Sequence, residues 1–384
     1  MKTLRLLLCT LLTLPVLLLP CRAFALEPLR DGEIGIAAPS AILMEKVTGQ
    51  VLYEKNADER LLPASVTKVM TLLLIVEDIE AGKLSPDDIV TASARAASFG
   101  GSCVYLEEGE QMSVHEMLKC ITVASANDCA VAMAEHLAGT EALFVERMNE
   151  RAAELGLKNT HFTNCTGLFE DAEHYSSARD IALMSRELIS HPLIKDYSTI
   201  WMDSIRDGSF GLTNTNKLVY WYEGCTGLKT GFTSGAMYCL SATAERDGTE
   251  YIAVIMHAES SDSRNADATA LLNYGFSRYA LCPLLPEAPL PDLPVELGAA
   301  GSVPLSVSGE QAVLIPKGSA APDYRLELPA RVTAPVAEGD AVGTLTVTLG
   351  GETLAELPVL AAADVPKIGV MPLFLRLLGS LAGL

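Results

Sequence analysis

The stretch LLPASVTKVMTLLLIVEDIEAG, residues 61–82, combines a long apolar run with two polar side chains near its start. Pro63 suits the first turn of a helix, and the apolar run after it indicates a helix that is buried. Ser65 and Lys68 are three residues apart, so on a helix they lie on one face, one turn from each other. The stretch therefore predicts a buried helix that presents a hydroxyl and an amine side by side.

A hydroxyl beside an amine can form a nucleophile and its base. A serine becomes a good nucleophile only when a base removes its proton. A lysine can be that base only when it is neutral, which requires a lowered pKa. Burial lowers the pKa of a lysine, and so does a second cation nearby. The helix supplies burial, so we expect another part of the chain to supply the cation.

Two further fragments could complete such a site. In ASAND, residues 124–128, Ser125 and Asn127 lie at a predicted break between two helices, where both side chains can point the same way. In GLKTGFTSG, Lys229 lies on a predicted strand and can be the missing cation. Gly231, in the same fragment, removes a side chain where a substrate backbone would lie close.

Taken alone, each fragment has a simpler explanation. Ser65 could cap the helix that follows it, Asn127 could cap the next helix, and Lys229 could be a solvated lysine on a strand. The Ser-x-Asn spacing also occurs a second time, from Ser263 to Asn265. Only the joint occurrence of the fragments, in this order, favours a catalytic site.

Ser-x-x-Lys, then Ser-x-Asn, then Lys-Thr-Gly is the set of motifs found in penicillin-binding proteins and serine β-lactamases. From about residue 35 to residue 365 the chain resembles the D-alanyl-D-alanine carboxypeptidases, the low-molecular-mass penicillin-binding proteins of bacterial cell walls. The resemblance includes EKVTGQVLYEKNADERLLPASVTKVMT, ASANDCAVAMAE, NTHFTNCTGL, GLKTGFTSGAMYCLSATAERDG and LLNYGF. It implies an α+β fold with a transpeptidase domain like that of penicillin-binding proteins and β-lactamases, followed by a small all-β domain.

The resemblance implies a serine-type carboxypeptidase that removes the terminal D-alanine of peptidoglycan stem pentapeptides through an acyl-enzyme. β-Lactam antibiotics would inhibit it by binding covalently. Ser65 resembles the nucleophile, Lys68 its general base, and Ser125 the hydroxyl that passes a proton to the leaving amine. Asn127 would hold the side amide of the substrate, and Lys229 would orient Ser125 and lower the pKa of Lys68. No cofactor and no metal is implied.

The remaining site residues would bind the terminal carboxylate of the substrate and the oxyanion that forms at the scissile carbonyl. Thr230 would hydrogen-bond the terminal carboxylate of the substrate, next to Gly231. Arg264 falls where the family places a carboxylate-binding arginine, and a guanidinium suits that planar anion. The backbone N–H groups of Ser65 and Phe232 would form the oxyanion hole.

Three other functions are compatible with such a fold. A β-lactamase needs fast deacylation, which class A enzymes assign to a positioned Glu, and the sequence has no equivalent Glu-x-x-Leu-Asn. A peptidoglycan endopeptidase would use the same acylation step on cross-links. A non-catalytic wall-binding homologue would not need the intact Lys68, Asn127 and Lys229. The carboxypeptidase is therefore the predicted function.

The order of predicted elements indicates helices on a mainly antiparallel sheet. Residues 37–56 read as a β-hairpin, and three strands follow from residue 225. Five prolines between residues 283 and 296 predict a stiff, extended linker. The predicted domains are a serine carboxypeptidase domain (30–282), the linker (283–296) and a C-terminal β domain (297–366).

Both ends of the chain are apolar. Residues 1–25 have a positive start, an apolar run and Ala-Phe-Ala at their end, which predicts a secretory signal peptide and export. A retained membrane anchor is the alternative. Residues 371–384 are too short to span a bilayer, and could lie on a membrane surface or pack on the β domain.

Composition excludes some partners. The chain has a formal net charge of −20 and no basic run, so a nucleic-acid partner is not expected. Without residues 1–25 seven scattered Cys remain, which is no disulfide framework, and most are expected to be small buried side chains. Cys103 lies in a segment resembling the active-site rim of the family. The six His residues have no ligand-like spacing.

Overall fold

The computed structural model describes residues 34–381, which form two compact units. The first unit comprises residues 34–283 together with residues 312–319, and it contains all the predicted site residues. The second unit comprises residues 284–311 and 320–381. The predicted signal peptide lies outside the described residues.

A five-stranded antiparallel sheet forms the centre of the first unit. In spatial order its strands are β2 (Val51–Lys55), β1 (Ser40–Glu45), β9 (Thr249–Ala258), β8 (Met237–Arg246) and β7 (Cys225–Thr233). Three short antiparallel pairs accompany it: β3 (Ile89–Thr91) with β4 (Gln111–Ser113), β5 (Met202–Ile205) with β6 (Phe210–Thr213), and β10 (Tyr279–Pro283) with β14 (Ala312–Pro316). The predicted hairpin and the three consecutive strands are confirmed.

Helices cover both faces of the sheet. They are α1 (Lys68–Glu80), α2 (Ala94–Ala97), α3 (Val114–Val123), α4 (Asn127–Ala138), α5 (Glu141–Glu154), α6 (Ala178–Leu188), α7 (Lys195–Ser198), α8 (Leu218–Trp221) and α9 (Ser261–Arg278). Along β9, Ile252 and Val254 join the core around α1, whereas Tyr251 and Ala253 join the core under α9. This alternation is the two-residue period of a strand buried on both faces. The predicted α+β class is confirmed.

The opening stretch differs from one continuous helix. Residues Ala64–Thr67 form a single 3₁₀ turn, and the α-helix begins only at Lys68. Neither turn nor helix has a side-chain cap, so Ser65 is not a helix cap. Its hydroxyl is therefore available to other groups.

The second unit is all-β except for its last element. Its strands are β11 (Leu293–Glu296), β12 (Ser302–Val303), β13 (Leu305–Val307), β15 (Asp323–Glu327), β16 (Val332–Thr333), β17 (Ala341–Leu349) and β18 (Glu352–Ala361). They form a three-stranded sheet, β12-β11-β16, and a four-stranded sheet, β13-β18-β17-β15. A small apolar core includes Val303 and Val365. The predicted C-terminal β domain is confirmed.

The boundaries of the units differ from the predicted ones in two places. Strand β11 lies inside the stretch predicted as a linker, because buried Leu293 and Val295 alternate with exposed Pro294 and Glu296. A proline-rich stretch is extended, and an extended chain with alternating burial can be a strand. Strand β14 lies inside the predicted β domain but pairs with β10 in the first unit.

The chain ends in a helix. Helix α10 (Val370–Leu381) covers most of the predicted apolar tail, and residues 382–384 lie outside the described residues. Several of its apolar side chains are exposed: Val370, Met371, Phe374, Leu375 and Leu378. Within residues 34–381, none of the helices combines the length and the apolar character needed to cross a membrane.

Candidate active site

The 3₁₀ turn places Ser65 directly in front of Lys68. The Lys68 side chain is fully buried, whereas Ser65 is partly exposed. Lys68 Nζ lies 3.0 Å from Ser65 Oγ, within hydrogen-bond distance. The two groups of the Ser-x-x-Lys motif are therefore in contact, with the hydroxyl on the solvent side of the amine.

Two further oxygen atoms surround the Lys68 amine. Asn127 Oδ1 lies 2.5 Å from Nζ, and the backbone carbonyl of Thr166 accepts a hydrogen bond of 2.9 Å. Burial lowers the pKa of Lys68 to about 7, although the Asp128 carboxylate acts in the opposite direction. An amine with this pKa is neutral in a large share of molecules at neutral pH.

The junction between α3 and α4 supplies the second motif. Ser125 has a backbone φ of 61° and a buried side chain, and this unusual conformation turns the chain between the two helices. The Asn127 side chain donates from Nδ2 to the Gly100 carbonyl, at 2.8 Å, which leaves Oδ1 facing Lys68. The predicted break is confirmed, and it brings Asn127 to Lys68.

Strand β7 supplies the third motif. Lys229 is fully buried, and its Nζ donates to the Thr230 carbonyl at 2.9 Å. The pKa of Lys229 is lowered well below its ordinary value, first by burial and then by the cations Lys68 and Arg264. Among the described residues, no hydrogen bond joins Lys229 to Ser125, so the expected orienting contact is not seen.

Gly231 lies where β7 approaches the backbone of the turn that carries Ser65. A Cβ atom at this position would lie 2.8 Å from the Pro63 carbonyl oxygen and 3.0 Å from the Ser65 backbone nitrogen. The glycine therefore lets β7 approach the turn that carries the nucleophile, and the approach of a substrate backbone to Gly231 stays a prediction. Next to it, the Phe232 side chain is half exposed, and the Thr230 hydroxyl donates to Thr215 Oγ1 at 2.7 Å.

Arg264 lies in the first turn of α9. It is buried, and its guanidinium hydrogen-bonds Asn265 Oδ1, Ser261 Oγ and, at 3.5 Å, the Cys239 carbonyl. Burial lowers its pKa to about 10. Its charge lowers the pKa of Lys229, so the two groups are close enough to interact. The guanidinium is engaged by its own helix and by β8, and its carboxylate-binding role stays a prediction.

The sequence argument assigned no role to the segment that carries Thr166. Asn164 Oδ1 accepts hydrogen bonds from the backbone N–H groups of Thr166 and Gly167, which fixes the carbonyl that Lys68 contacts. His174 Nε2 lies 2.8 Å from Thr67 Oγ1, and burial lowers the pKa of His174 to about 4, so its ring is neutral. The fragment NTHFTNCTGL, which carries the family resemblance, was the available signal.

Cys103 lies near the cleft, as expected, but its surroundings do not activate it. Its thiol donates to the carbonyls of Phe99 and Gly100, each at 3.3 Å. Burial and the neighbouring Asp128 raise its pKa, which keeps the sulfur protonated. Of the seven free cysteines described, five are buried. Most thiols are thus small buried side chains, as predicted.

Within residues 34–381, one group of side chains could hold a metal ion, near the C-terminal end of α1. Ligand atoms of Glu77, Glu187 and His191 lie within 4.8 Å of one another. Spacing in the sequence gave no sign of this, because the three residues come together only in the fold. Arg151 already pairs with both carboxylates at 2.8 Å. The group is not part of the cleft, and the absence of a metal from the reaction stays a prediction.

Comparison with protein families agrees with this arrangement. A family model described as D-alanyl-D-alanine carboxypeptidase matches residues 27–260. A second, described as the C-terminal domain of penicillin-binding protein 5, matches residues 288–367. The first match lies within the first unit, and the second covers most of the second unit together with β14.

Individual relatives extend along most of the chain. It is 43% identical over 356 residues to the D-alanyl-D-alanine carboxypeptidase DacF of Bacillus subtilis, with 91% of each chain covered. Penicillin-binding protein 5 from Haemophilus influenzae superimposes with a TM-score of 0.74 at 31% identity, covering 86% of this chain and 98% of that one. Penicillin-binding protein D2 from Listeria monocytogenes, in its ampicillin-bound form, has a TM-score of 0.58 at 32% identity, covering 63% and 98%. These matches show that the chain belongs to the D-alanyl-D-alanine carboxypeptidase family.

Proposed function

We propose that the protein is a serine-type D-alanyl-D-alanine carboxypeptidase that removes the terminal D-alanine of peptidoglycan stem pentapeptides. The observation that carries this proposal is the position of one buried amine. Lys68 Nζ lies 3.0 Å from Ser65 Oγ and is held there by two other oxygen atoms. Membership of the family supports the same reaction.

The contacts of Lys68 prepare it to act as a base. Asn127 Oδ1 and the Thr166 carbonyl can only accept hydrogen bonds, whereas the Ser65 hydroxyl can also donate. A neutral amine has two N–H groups and one lone pair. When the two N–H groups bond the two pure acceptors, the lone pair is left for the Ser65 proton. The site therefore favours the pairing that activates the nucleophile.

The reaction then proceeds in two stages. Ser65 Oγ gives its proton to Lys68 and bonds the carbonyl carbon between the two D-alanines, while the N–H groups of Ser65 and Phe232 stabilise the oxyanion. Collapse of this intermediate breaks the C–N bond; Ser125 gives its proton to the departing amine and takes the proton that Lys68 removed from Ser65. Water then gives a proton to Lys68 and attacks the ester carbonyl, and Ser65 leaves with that proton.

The remaining side chains would position the substrate. Thr230 would hydrogen-bond the terminal carboxylate, and Arg264 would add attraction for that anion. Asn127 would contact the substrate amide through the side-chain amide, whose oxygen also contacts Lys68. Lys229 would complete the polar wall beside Thr230. Binding of β-lactams at the same serine is expected, and the Listeria monocytogenes relative has been solved with ampicillin bound.

The replacement Ser65→Ala tests the proposal. We expect it to abolish both covalent labelling by a fluorescent penicillin and release of D-alanine from a pentapeptide, while thermal unfolding stays unchanged. Labelling of the variant would contradict the role of Ser65. Mass analysis of products from pentapeptides and cross-linked muropeptides would separate carboxypeptidase from endopeptidase action, and rapid nitrocefin turnover would indicate a β-lactamase instead.

We also propose that the protein is exported and attaches to a membrane surface through α10. Two features support this: the predicted signal peptide, and the exposed apolar side chains of the helix, such as Phe374 and Leu375. The full chain should sediment with phospholipid vesicles, whereas a chain ending at residue 369 or carrying Phe374→Ser and Leu375→Ser should not. Equal sedimentation of these chains would contradict the anchor.

A further inference from the structure

The loop that follows Thr166 reaches the far end of β7. Glu170 Oε1 accepts a hydrogen bond of 2.6 Å from the backbone N–H of Gly235, in the turn between β7 and β8. This N–H group and the nearby Thr233 side chain lower the pKa of Glu170. Glu170 therefore accepts from the main chain of a different element, just beyond the strand that carries Lys-Thr-Gly.

The turn is shaped to receive this carboxylate. A Cβ atom on Gly235 would lie 2.8 Å from Glu170 Oε2. A side chain at this position would therefore displace the carboxylate from the N–H group. The same turn makes one local hydrogen bond, from the Ala236 N–H to Thr233 Oγ1 at 3.1 Å. Glu170 adds a tie from outside the hairpin.

Each end of this tie leads to a group of the proposed reaction. On one side, Thr166 accepts from Lys68, and the Thr166 hydroxyl accepts from the Leu168 N–H, two residues before Glu170. On the other side, Phe232, whose N–H would bind the oxyanion, lies three residues before Gly235. The tie thus connects the loop that contacts the base, Lys68, to the end of β7 that carries the oxyanion donor, Phe232.

We propose that Glu170 is a positioning residue, which holds the end of β7 so that the Phe232 N–H faces the oxyanion. This inference rests on the proposed function, because it assigns a role within the same reaction. Oxyanion donors act only when they are fixed within a few tenths of an ångström of the developing charge. Release of the hairpin end should therefore slow acylation without removing the nucleophile or the base.

The variants Glu170→Ala, Glu170→Gln and Gly235→Ala test this role, with Glu173→Ala as the matched control. Glu173 is an exposed carboxylate in the same loop. We expect Glu170→Ala and Gly235→Ala each to lower the acylation rate constant with a fluorescent penicillin about tenfold, well below the hundredfold that a 1 Å misplacement can cost. Glu170→Gln should recover most of the rate, because its amide oxygen still accepts. The control should react like the wild type.

The double variant Glu170→Ala with Gly235→Ala makes the test specific. Because both changes remove one tie, the double variant should be no slower than either single variant. Rates equal to wild type in Glu170→Ala, or a loss no larger than in Glu173→Ala, would overturn the inference. A wild-type protein that forms no penicillin adduct would instead overturn the proposed function, so the two failures are distinguishable.

Discussion

Lys68 and Lys229 are both fully buried beside the same cleft, but the charges around them differ. Lys68, at the start of α1, has the Asp128 carboxylate nearby, which opposes the lowering of its pKa by burial. Lys229, on β7, has the cations Lys68 and Arg264 nearby, which add to the effect of burial. The two lysines are thus equally buried but differ in the sign of the charges around them.

The two lysines are close enough to interact, because the charge of Lys68 lowers the pKa of Lys229. Burial is the largest cause of the lowered pKa of Lys68. We therefore expect burial to set most of the Lys68 pKa. The role of Lys229 as the second cation stays a prediction, and replacement of Lys229 tests it.

The largest effect should come from Lys68→Met, which keeps most of the side-chain volume and removes the base. We expect penicillin acylation to fall about a thousandfold, within the range that general bases contribute. Thermal unfolding of the variant should show that it is folded. Acylation within about tenfold of wild type would mean that another group takes the Ser65 proton.

A smaller effect is expected for Lys229→Met, and its pH profile tests the comparison directly. Acylation by the wild type should rise with pH through a midpoint near the Lys68 pKa of about 7, because only the neutral amine can accept the proton. The variant should be about a hundredfold slower, since a polar group beside Thr230 is lost, but its midpoint should stay in place. If the charge of Lys229 lowered the pKa of Lys68, the midpoint would move upward instead.

The next effect concerns the close approach of β7 to the turn that carries Ser65. In Gly231→Ala, the new methyl group would meet the Pro63 carbonyl and the Ser65 nitrogen at 2.8 and 3.0 Å, so β7 must move away by a few tenths of an ångström. We expect acylation to slow about tenfold, with an unchanged pH midpoint. Gly248→Ala, which meets no atom within 4 Å, controls for a general change at a glycine, although its φ of 74° costs some stability. Acylation at the wild-type rate in Gly231→Ala would show that the added methyl group does not disturb the position of β7 relative to Ser65.

The sequence predicted the parts of this site better than the contacts between them. The motifs identified Ser65, Lys68 and Asn127, and strand alternation identified β7, because these features depend on local periodicity. Two features depend on which atoms the fold brings together: the Thr166 carbonyl as an acceptor for Lys68, and the Glu170 carboxylate on Gly235. In both contacts one partner is a main-chain group, a carbonyl in Thr166 and an N–H in Gly235, and a main-chain group leaves no residue type to recognise in the sequence. The boundary at β11 failed for a related reason, since prolines indicate an extended chain but do not distinguish a linker from a strand.

The smallest expected effect is the most specific for the surroundings of Lys68. Asp128 raises the pKa of Lys68, and its carboxylate also accepts from the Val104 and Leu106 N–H groups at 3.1 Å. Both bonds end on Oδ2, so Asp128→Asn removes the negative charge and keeps one oxygen that can accept both of them. The pKa of Lys68 should then fall further, so its amine is neutral at a lower pH and the acylation midpoint moves below the wild-type value. Glu135→Gln, on the same helix, should leave the midpoint in place. A midpoint that stays unchanged or rises in Asp128→Asn would mean that the Asp128 charge does not raise the pKa of Lys68, which would contradict the contrast drawn between the surroundings of the two lysines.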